Sequence, residues 1–401
     1  MSMSSKFAER MNVVKPSAIR ELLRLGADPQ LISFGGGYPD PAYFPRKELA
    51  QAYEDVLADP SSSALQYTTS TGLESLRAQI AARMQRDGVP CTTRNVLVVQ
   101  GAQQGLDLIS KLLVNPSDLI VTENPTFLGA LIAFNPCQPR YAVAPMEEEG
   151  VDTARLESIL ASDRGAKLIY LIPDFQNPTG VTMSVERRRA VIDLANRHNV
   201  VVVEDTPYRD IRFSGESLPT LKSLDTEERV VHIGSFSKIL APGLRLGWIV
   251  ASEPLIEKLG LLKLAADTQC STLNMAAVSK LLETFDLDKH VAMIASHYRG
   301  KKELMLDTIR RTFPADVAYT NPNGGLFTWL SFSERFDTAR FMQERALPEA
   351  KVAYVPGATF FPVDQQTNHA RVSFATQPDD AIVRGITALG RVLRDETLRS
   401  R

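Results

Sequence analysis

The spacing of apolar positions divides the chain into three stretches. Between residues 95 and 250, short runs rich in β-branched residues alternate with amphipathic stretches. The runs are Val96–Val99, Leu119–Val121, Tyr141–Val143, Leu168–Ile172, Val200–Val203, Val230–Ile233 and Trp248–Val250. Most are continuously apolar, as in strands buried on both faces of a mainly parallel sheet. The amphipathic segments predict helices, for example Val185–His198 with Asn199 as its stop. This βαβα order predicts an α/β domain with helices on both faces of the sheet.

The flanks read differently. Ser17–Leu25 and Arg46–Leu57 have helical spacing, and between them lies Ser33–Pro45, with three glycines and three prolines. That density of breakers excludes regular structure throughout. After about residue 280, a long helical stretch reaches about Phe313, and strand candidates follow at Leu326–Leu330 and Arg371–Phe374. A closing helix, with Asp379 and Asp380 as caps, carries Ile382, Ile386, Leu389 and Leu393 on one stripe. The expected organisation is an N-terminal arm (1–45) that partly joins a small C-terminal α+β domain (286–401), and a large domain (46–285). A cleft between domains is a usual place for a small-molecule site.

Composition narrows the field. The 401 residues suffice for two or three domains. Lys and Arg total 45 and Asp and Glu 47, so the formal net charge is −2. That balance argues against nucleic acid or an anionic membrane as partner. Cys91, Cys137 and Cys270 are too few and too scattered for a disulfide framework or a zinc site, and they suit a reducing compartment. Met1 to Arg10 has no apolar signal core, and no apolar run approaches the roughly 18 residues of a membrane span. The expectation is a soluble cytoplasmic protein without a metal.

One lysine stands out. Ser235-Phe236-Ser237-Lys238 follows the strand Val230–Ile233, and Pro242-Gly243-Leu244-Arg245-Leu246-Gly247 leads into the next strand. Ligands of open α/β sheets bind beyond the carboxyl ends of strands. A lysine desolvated there has a lowered pKa and becomes a competent Schiff-base amine. Two serines and an arginine beside it are the donors a phosphate needs. Alone, S-x-S-K reads as a surface loop with a solvated lysine; the following P-G-L-R-L-G makes it specific.

SFSKILAPGLRLG closely resembles the lysine signature of class I/II aminotransferases, the fold-type-I pyridoxal-phosphate enzymes. The resemblance implies a large domain with a mainly parallel seven-stranded sheet plus a smaller α+β domain. It implies that Lys238 holds pyridoxal 5′-phosphate and that Ser235, Ser237 and Arg245 hold its phosphate. Other segments match the family in its order, from Gly35 to Phe374. In Glu204-Asp205-Thr206-Pro207-Tyr208, Asp205 matches the carboxylate that keeps the pyridine nitrogen protonated, so that the ring serves as an electron sink. The strand period turns Glu204, the rival carboxylate, to the opposite face. Tyr208 matches the phenol that reaches the ring oxygen, and Asn177 in Asn177-Pro178-Thr179-Gly180 matches the asparagine that shares it. Gln100-Gly101-Ala102-Gln103-Gln104-Gly105 resembles the phosphate turn, before a helix read from Leu106, with Ala102 and Gln103 as contacts. Phe127 aligns with the aromatic that stacks on the ring, where many relatives have tyrosine. Tyr67 aligns with a tyrosine that reaches the phosphate of a neighbouring subunit, which implies a homodimer with shared sites. Arg371, in Ala370-Arg371-Val372-Ser373-Phe374, matches the anchor of the substrate α-carboxylate.

The N-terminal segment is similar to the branch that contains kynurenine/2-aminoadipate aminotransferases and broad-specificity bacterial transaminases. There, Arg20 resembles a residue that faces the substrate's distal group. Gly37 lies in a stretch that allows close backbone approach, and Tyr38 stands where relatives often have leucine. The implied reaction moves the amino group of an aromatic, 2-aminoadipate-like or branched L-α-amino acid to a 2-oxo acid such as 2-oxoglutarate, with ping-pong kinetics. The alternatives are a lyase or decarboxylase on the same cofactor, or a non-catalytic ligand-binding relative. Bacterial regulators with the same fold carry a DNA-binding module before it. Only about fifteen residues precede the matching region here, which argues against a regulator.

Overall fold

The computed structural model describes residues 6–14, 28 and 30–399. The expected helix Ser17–Leu25, with Arg20, lies outside the described residues. The first strand, β1 (Ile32–Ser33), precedes an eight-stranded sheet. The members of that sheet are β2 (Val96–Val99), β3 (Leu119–Asn124), β4 (Arg140–Glu147), β5 (Gly150–Val151), β6 (Ala166–Leu171), β7 (Val201–Asp205), β8 (Val230–Ser235) and β9 (Gly247–Val250). Their spatial order is β2-β9-β8-β7-β6-β3-β4-β5. The pairs β3–β4, β3–β6, β6–β7 and β7–β8 are parallel. Strand β9 runs against both its neighbours.

All seven apolar runs form strands of this sheet. The eighth strand, β5, went unread: it is a two-residue antiparallel extension of β4, too short to leave an apolar run. The buried positions of β2, β8 and β9 are continuous, because helices cover both faces. The helix Val185–His198 forms as expected, with Asn199 in the left-handed conformation at φ 52° ending it. Two boundaries need correction. The helix expected from Leu106 starts at Ala102, because the glycine before it, Gly101 at φ +73°, takes the cap position. The last helix spans Asp379–Arg399, so Asp379 and Asp380 sit inside its first turn, where acids suit the dipole, and do not precede it as caps.

Beyond the long helix Leu287–Thr312, an antiparallel sheet has the order β10 (Ala318–Tyr319), β11 (Phe327–Ser331), β14 (His369–Ser373), β13 (Val355–Pro356). Between them in the chain, β12 (Val352–Ala353) pairs with β1 in parallel. Phe34, wholly buried, continues that strap: its N–H donates to the Ala353 carbonyl, and its own carbonyl accepts from the Ser373 N–H at 2.8 Å. The strap holds Gly35–Gly37 beside β14, the strand that carries Arg371.

Candidate active site

Strand direction sets the site. Strands β2, β3, β6, β7 and β8 all end at one edge of the sheet. Because β9 runs the other way, its beginning lies at that same edge. Asp205 closes β7, Ser235 closes β8 with Lys238 three residues on, and Arg245 precedes β9. A cavity of about 620 Å³ opens there. Its walls include Lys238, Asp205, Tyr208, Asn177 and Arg371. They also include Ala102, Gln103, Phe127, Ser235, Ser237 and Arg245, and on the arm side Gly37 and Tyr38. Two candidates stand apart. Tyr67 is 80% exposed and does not line the cavity of its own chain. Arg20 lies outside the described residues.

At the centre, the Lys238 ammonium donates to the Gly37 carbonyl at 2.6 Å. Burial, with help from the charges of Arg371 and Arg245, pulls its pKa down to about 8. A neutral amine is therefore accessible near physiological pH. Asp205 is fully buried, and desolvation raises its pKa to about 6 despite a hydrogen bond from the Tyr170 phenol at 2.8 Å. That phenol occupies Oδ2. Oδ1 is buried and has no partner among the described residues. Glu204 does face away. It accepts from the N–H groups of Leu221 and Lys222 and pairs with His232, and although burial opposes it, these bonds keep its pKa low.

The Arg371 guanidinium is also buried. It donates to Asn177 Oδ1 and to the Gly35 carbonyl, both at 2.8 Å, and lies 4.1 Å from the Phe327 ring centroid. Desolvation lowers its pKa to about 10. The Asn177 amide donates in turn to the Tyr208 hydroxyl at 3.3 Å. Phe327 also meets Tyr208 edge-on, and it fills the space a side chain on Gly37 would need, 2.7 Å from that position. A glycine at 37 is what lets the backbone approach this closely.

At the other end, Arg245 donates to the Gln100 carbonyl at 2.9 Å. Gly101 sits against the same guanidinium, which leaves 2.7 Å for any added Cβ. The Ser237 N–H donates to Ser235 Oγ, which turns that loop into the cavity. Phe127 caps the helix Leu128–Phe134 and lies over Gly129.

Residues outside the sequence reading complete the frame. Tyr170 sat hidden in an apolar run, yet its phenol reaches Asp205 from the neighbouring strand. Gln176 ties the Asn177 loop to the loop after β3, donating to Glu123 Oε2 and the Pro125 carbonyl and accepting from Thr179. Burial pushes the Glu123 carboxyl up to about 8, so it is held largely neutral. An acid next to the end of a strand was the available signal for it.

These groups fit the expected pyridoxal phosphate. The orphan Asp205 Oδ1 suits a protonated ring nitrogen, the low-pKa amine suits an aldehyde, and Arg245 with the helix start at Ala102 suits a phosphate.

A family model, aminotransferase class I and II, matches residues 32–389. The chain is 38% identical over 395 residues to aromatic-amino-acid aminotransferase 1 of Thermococcus litoralis, covering 97% of this chain and 94% of that protein. Its fold superimposes on the multiple substrate aminotransferase of Thermococcus profundus with a TM-score of 0.94, at 37% identity and over 100% of both chains. It is also similar to the α-aminoadipate aminotransferase of Thermus thermophilus, complexed with N-(5′-phosphopyridoxyl)-L-leucine, with a TM-score of 0.92, 34% identity and 100% of both chains covered.

Proposed function

Since the chain belongs to the class I and II aminotransferases, whose cofactor is pyridoxal 5′-phosphate, we propose that it transfers the amino group of an aromatic, 2-aminoadipate-like or branched L-α-amino acid to 2-oxoglutarate. One observation carries this reading: a depressed-pKa lysine, a buried carboxylate with a free oxygen and a buried arginine converge on one cavity. When bound, the cofactor supplies the electron sink for a carbanion at the substrate α-carbon and carries the amino group between substrates.

The protein's own groups have distinct tasks in this proposal. Lys238 would anchor the cofactor, and its amine, beside the substrate α-carbon, would serve as the base that takes its proton. Asp205 Oδ1 holds a proton on the ring nitrogen. Asn177 and Tyr208 hold the ring oxygen, and Phe127 packs on the ring face. Ser235, Ser237, Arg245 and the N–H groups of Ala102 and Gln103 hold the phosphate. Arg371 takes the α-carboxylate through its fork and so fixes which substrate bond faces Lys238. Gly37 and Tyr38 line the side-chain end, with Arg20 reserved for a distal acid. The aromatic and aliphatic walls of Tyr38, Phe327 and Val355 favour large apolar side chains.

The same proposal includes an arm (1–45), a large domain (46–285) and a small domain (286–401). It includes a homodimer, supported by Leu65 and Tyr67, which are 81% and 80% exposed. A residue that serves a second copy's site has to project in this way. No described helix is long and apolar enough to cross a membrane. The three free cysteines support a reducing cytoplasm.

The test is a half-reaction. Cofactor-loaded protein is mixed with single L-amino acids and its visible spectrum recorded. Loss of the yellow band, restored by 2-oxoglutarate, is expected, with parallel initial-rate lines in the full reaction. A spectrum that no donor changes, or keto product without any oxo acid, rejects the proposal.

A further inference from the structure

Lysine is almost never fully buried unless it is paired, and a buried pair costs desolvation that its attraction only partly offsets. Lys263 is such a lysine, with no exposed surface, on the helix Glu253–Asp267. One turn later Asp267 ends the helix, where a carboxylate opposes the dipole. Lys263 Nζ lies 2.8 and 3.0 Å from the two Asp267 oxygens. The pair turns toward the start of the neighbouring helix, Ala102–Leu113, and there it meets Gln104.

The Gln104 amide is held from three sides. Its Oε1 accepts from Lys263 Nζ at 3.1 Å and from the Gln100 N–H at 2.8 Å, and its Nε2 donates to Asp267 Oδ2 at 2.7 Å. Gln100 in turn offers its carbonyl to Arg245. A line of hydrogen bonds, passing through the backbone of Gln100, thus runs from the buried Lys263 and its Asp267 partner to the guanidinium beside the phosphate end of the cavity. Arg245 needs that line. It is exposed, its backbone is left-handed at φ +54°, and among the described residues the other hydrogen bond of its guanidinium is a long 3.4 Å one to the Pro242 carbonyl.

We propose that Lys263 and Gln104 are positioning residues for the cofactor phosphate: the Lys263–Asp267 pair fixes Gln104, Gln104 holds the N–H of Gln100, and the carbonyl of that same residue aims Arg245. The inference rests on the reading of Arg245 as a phosphate ligand. The competing role for the pair is to lock two helices together, and that role is blind to phosphate.

Equilibrium dialysis separates the two. Full-length loaded protein is dialysed against graded pyridoxal phosphate and, in parallel, against pyridoxal, which lacks the phosphate. Lys263→Met and Gln104→Met are each expected to lower the ratio of the two affinities by about tenfold, with pyridoxal affinity changed by less than about twofold. Partial unfolding would weaken both ligands together and leave the ratio unmoved. Gln104 is only half-buried, so Gln104→Met carries the test if Lys263→Met does not fold. Arg245→Met is the control. If it lowers the ratio and neither other variant does, the inference is overturned alone. If Arg245→Met leaves the ratio unchanged, the phosphate reading and the inference fall together.

Discussion

The two ends of the cavity are built by different physics. At the ring end, polar groups are buried, and burial moves their protons: Lys238 goes down to about 8, Asp205 up to about 6, Arg371 down to about 10. At the phosphate end, Arg245 is exposed, and geometry comes from backbone, with a left-handed Arg245 and a Gly101 at φ +73° where a side chain would be strained. Reaction chemistry needs tuned protonation, which only desolvation and neighbouring charge provide. Anchoring a dianion needs aimed donors, which backbone N–H groups provide without moving a proton. Perturbing one end should therefore change rate, and perturbing the other should change retention.

The largest break of that comparison is Lys238→Ala. It removes the base while sparing the phosphate end. Transamination is expected to fall by about 10²–10⁴-fold or more. Pyridoxal phosphate should still co-purify, without the spectrum of a lysine adduct. Full loss of cofactor would show that the phosphate end cannot hold it unaided.

Arg371→Leu comes next. It removes two charge-assisted bonds to an α-carboxylate, so kcat/KM for amino acids should drop by about a hundredfold. It also deletes a positive charge that lowers the Lys238 pKa. The amine would then deprotonate at higher pH, and the midpoint for covalent capture of the cofactor should move above about 8. A midpoint that stays put would leave burial and the charge of Arg245 as the causes.

Gly101→Ala tests the other end. A Cβ at φ +73° is strained, and it meets the Arg245 guanidinium. Strain of about 1–3 kcal/mol should weaken cofactor retention by about tenfold, with kcat at saturating cofactor nearly unchanged. An altered kcat with normal retention would contradict the division between the ends.

The difference between the ends also explains what the sequence disclosed. The long strands other than the partly exposed β4 were legible because double-sided burial demands unbroken apolar runs. Asn199 marked a helix end because asparagine tolerates the left-handed turn. The two-residue β5 left no pattern. The helix start at Ala102 was misread because Ala-Gln-Gln-Gly has no apolar period, and the cap is a glycine without a side-chain signal. Tyr170 lies within an apolar strand run, and Lys263 stands among leucines with no local motif around it. Their meaning lies in partners 35 and 159 residues away, Asp205 and Gln104, and no local pattern encodes such a distance.

Tyr170→Phe sharpens the comparison with the smallest change, one oxygen atom. The phenol donates to Asp205 Oδ2, and burial keeps its own pKa far above the usual range, so it remains a donor at any working pH. A hydrogen bond to the charged form of an acid lowers its pKa. Removing it leaves desolvation less opposed, and the Asp205 pKa should rise beyond about 6. The carboxylate must be ionised to hold a proton on the ring nitrogen. Activity should therefore be lost on the acid side at a higher pH than in the parent, and fall by roughly 3–10-fold near neutrality, the worth of one such bond. Above the shifted pKa the loss should shrink, since Asp205 is again charged. A kcat profile taken from about pH 5 to 9 reads both effects, because the acid limb of kcat belongs to the substrate-bound enzyme. A uniform loss across that range would mean that Tyr170 only fills space beside Asp205, and that burial and His232 alone set its charge.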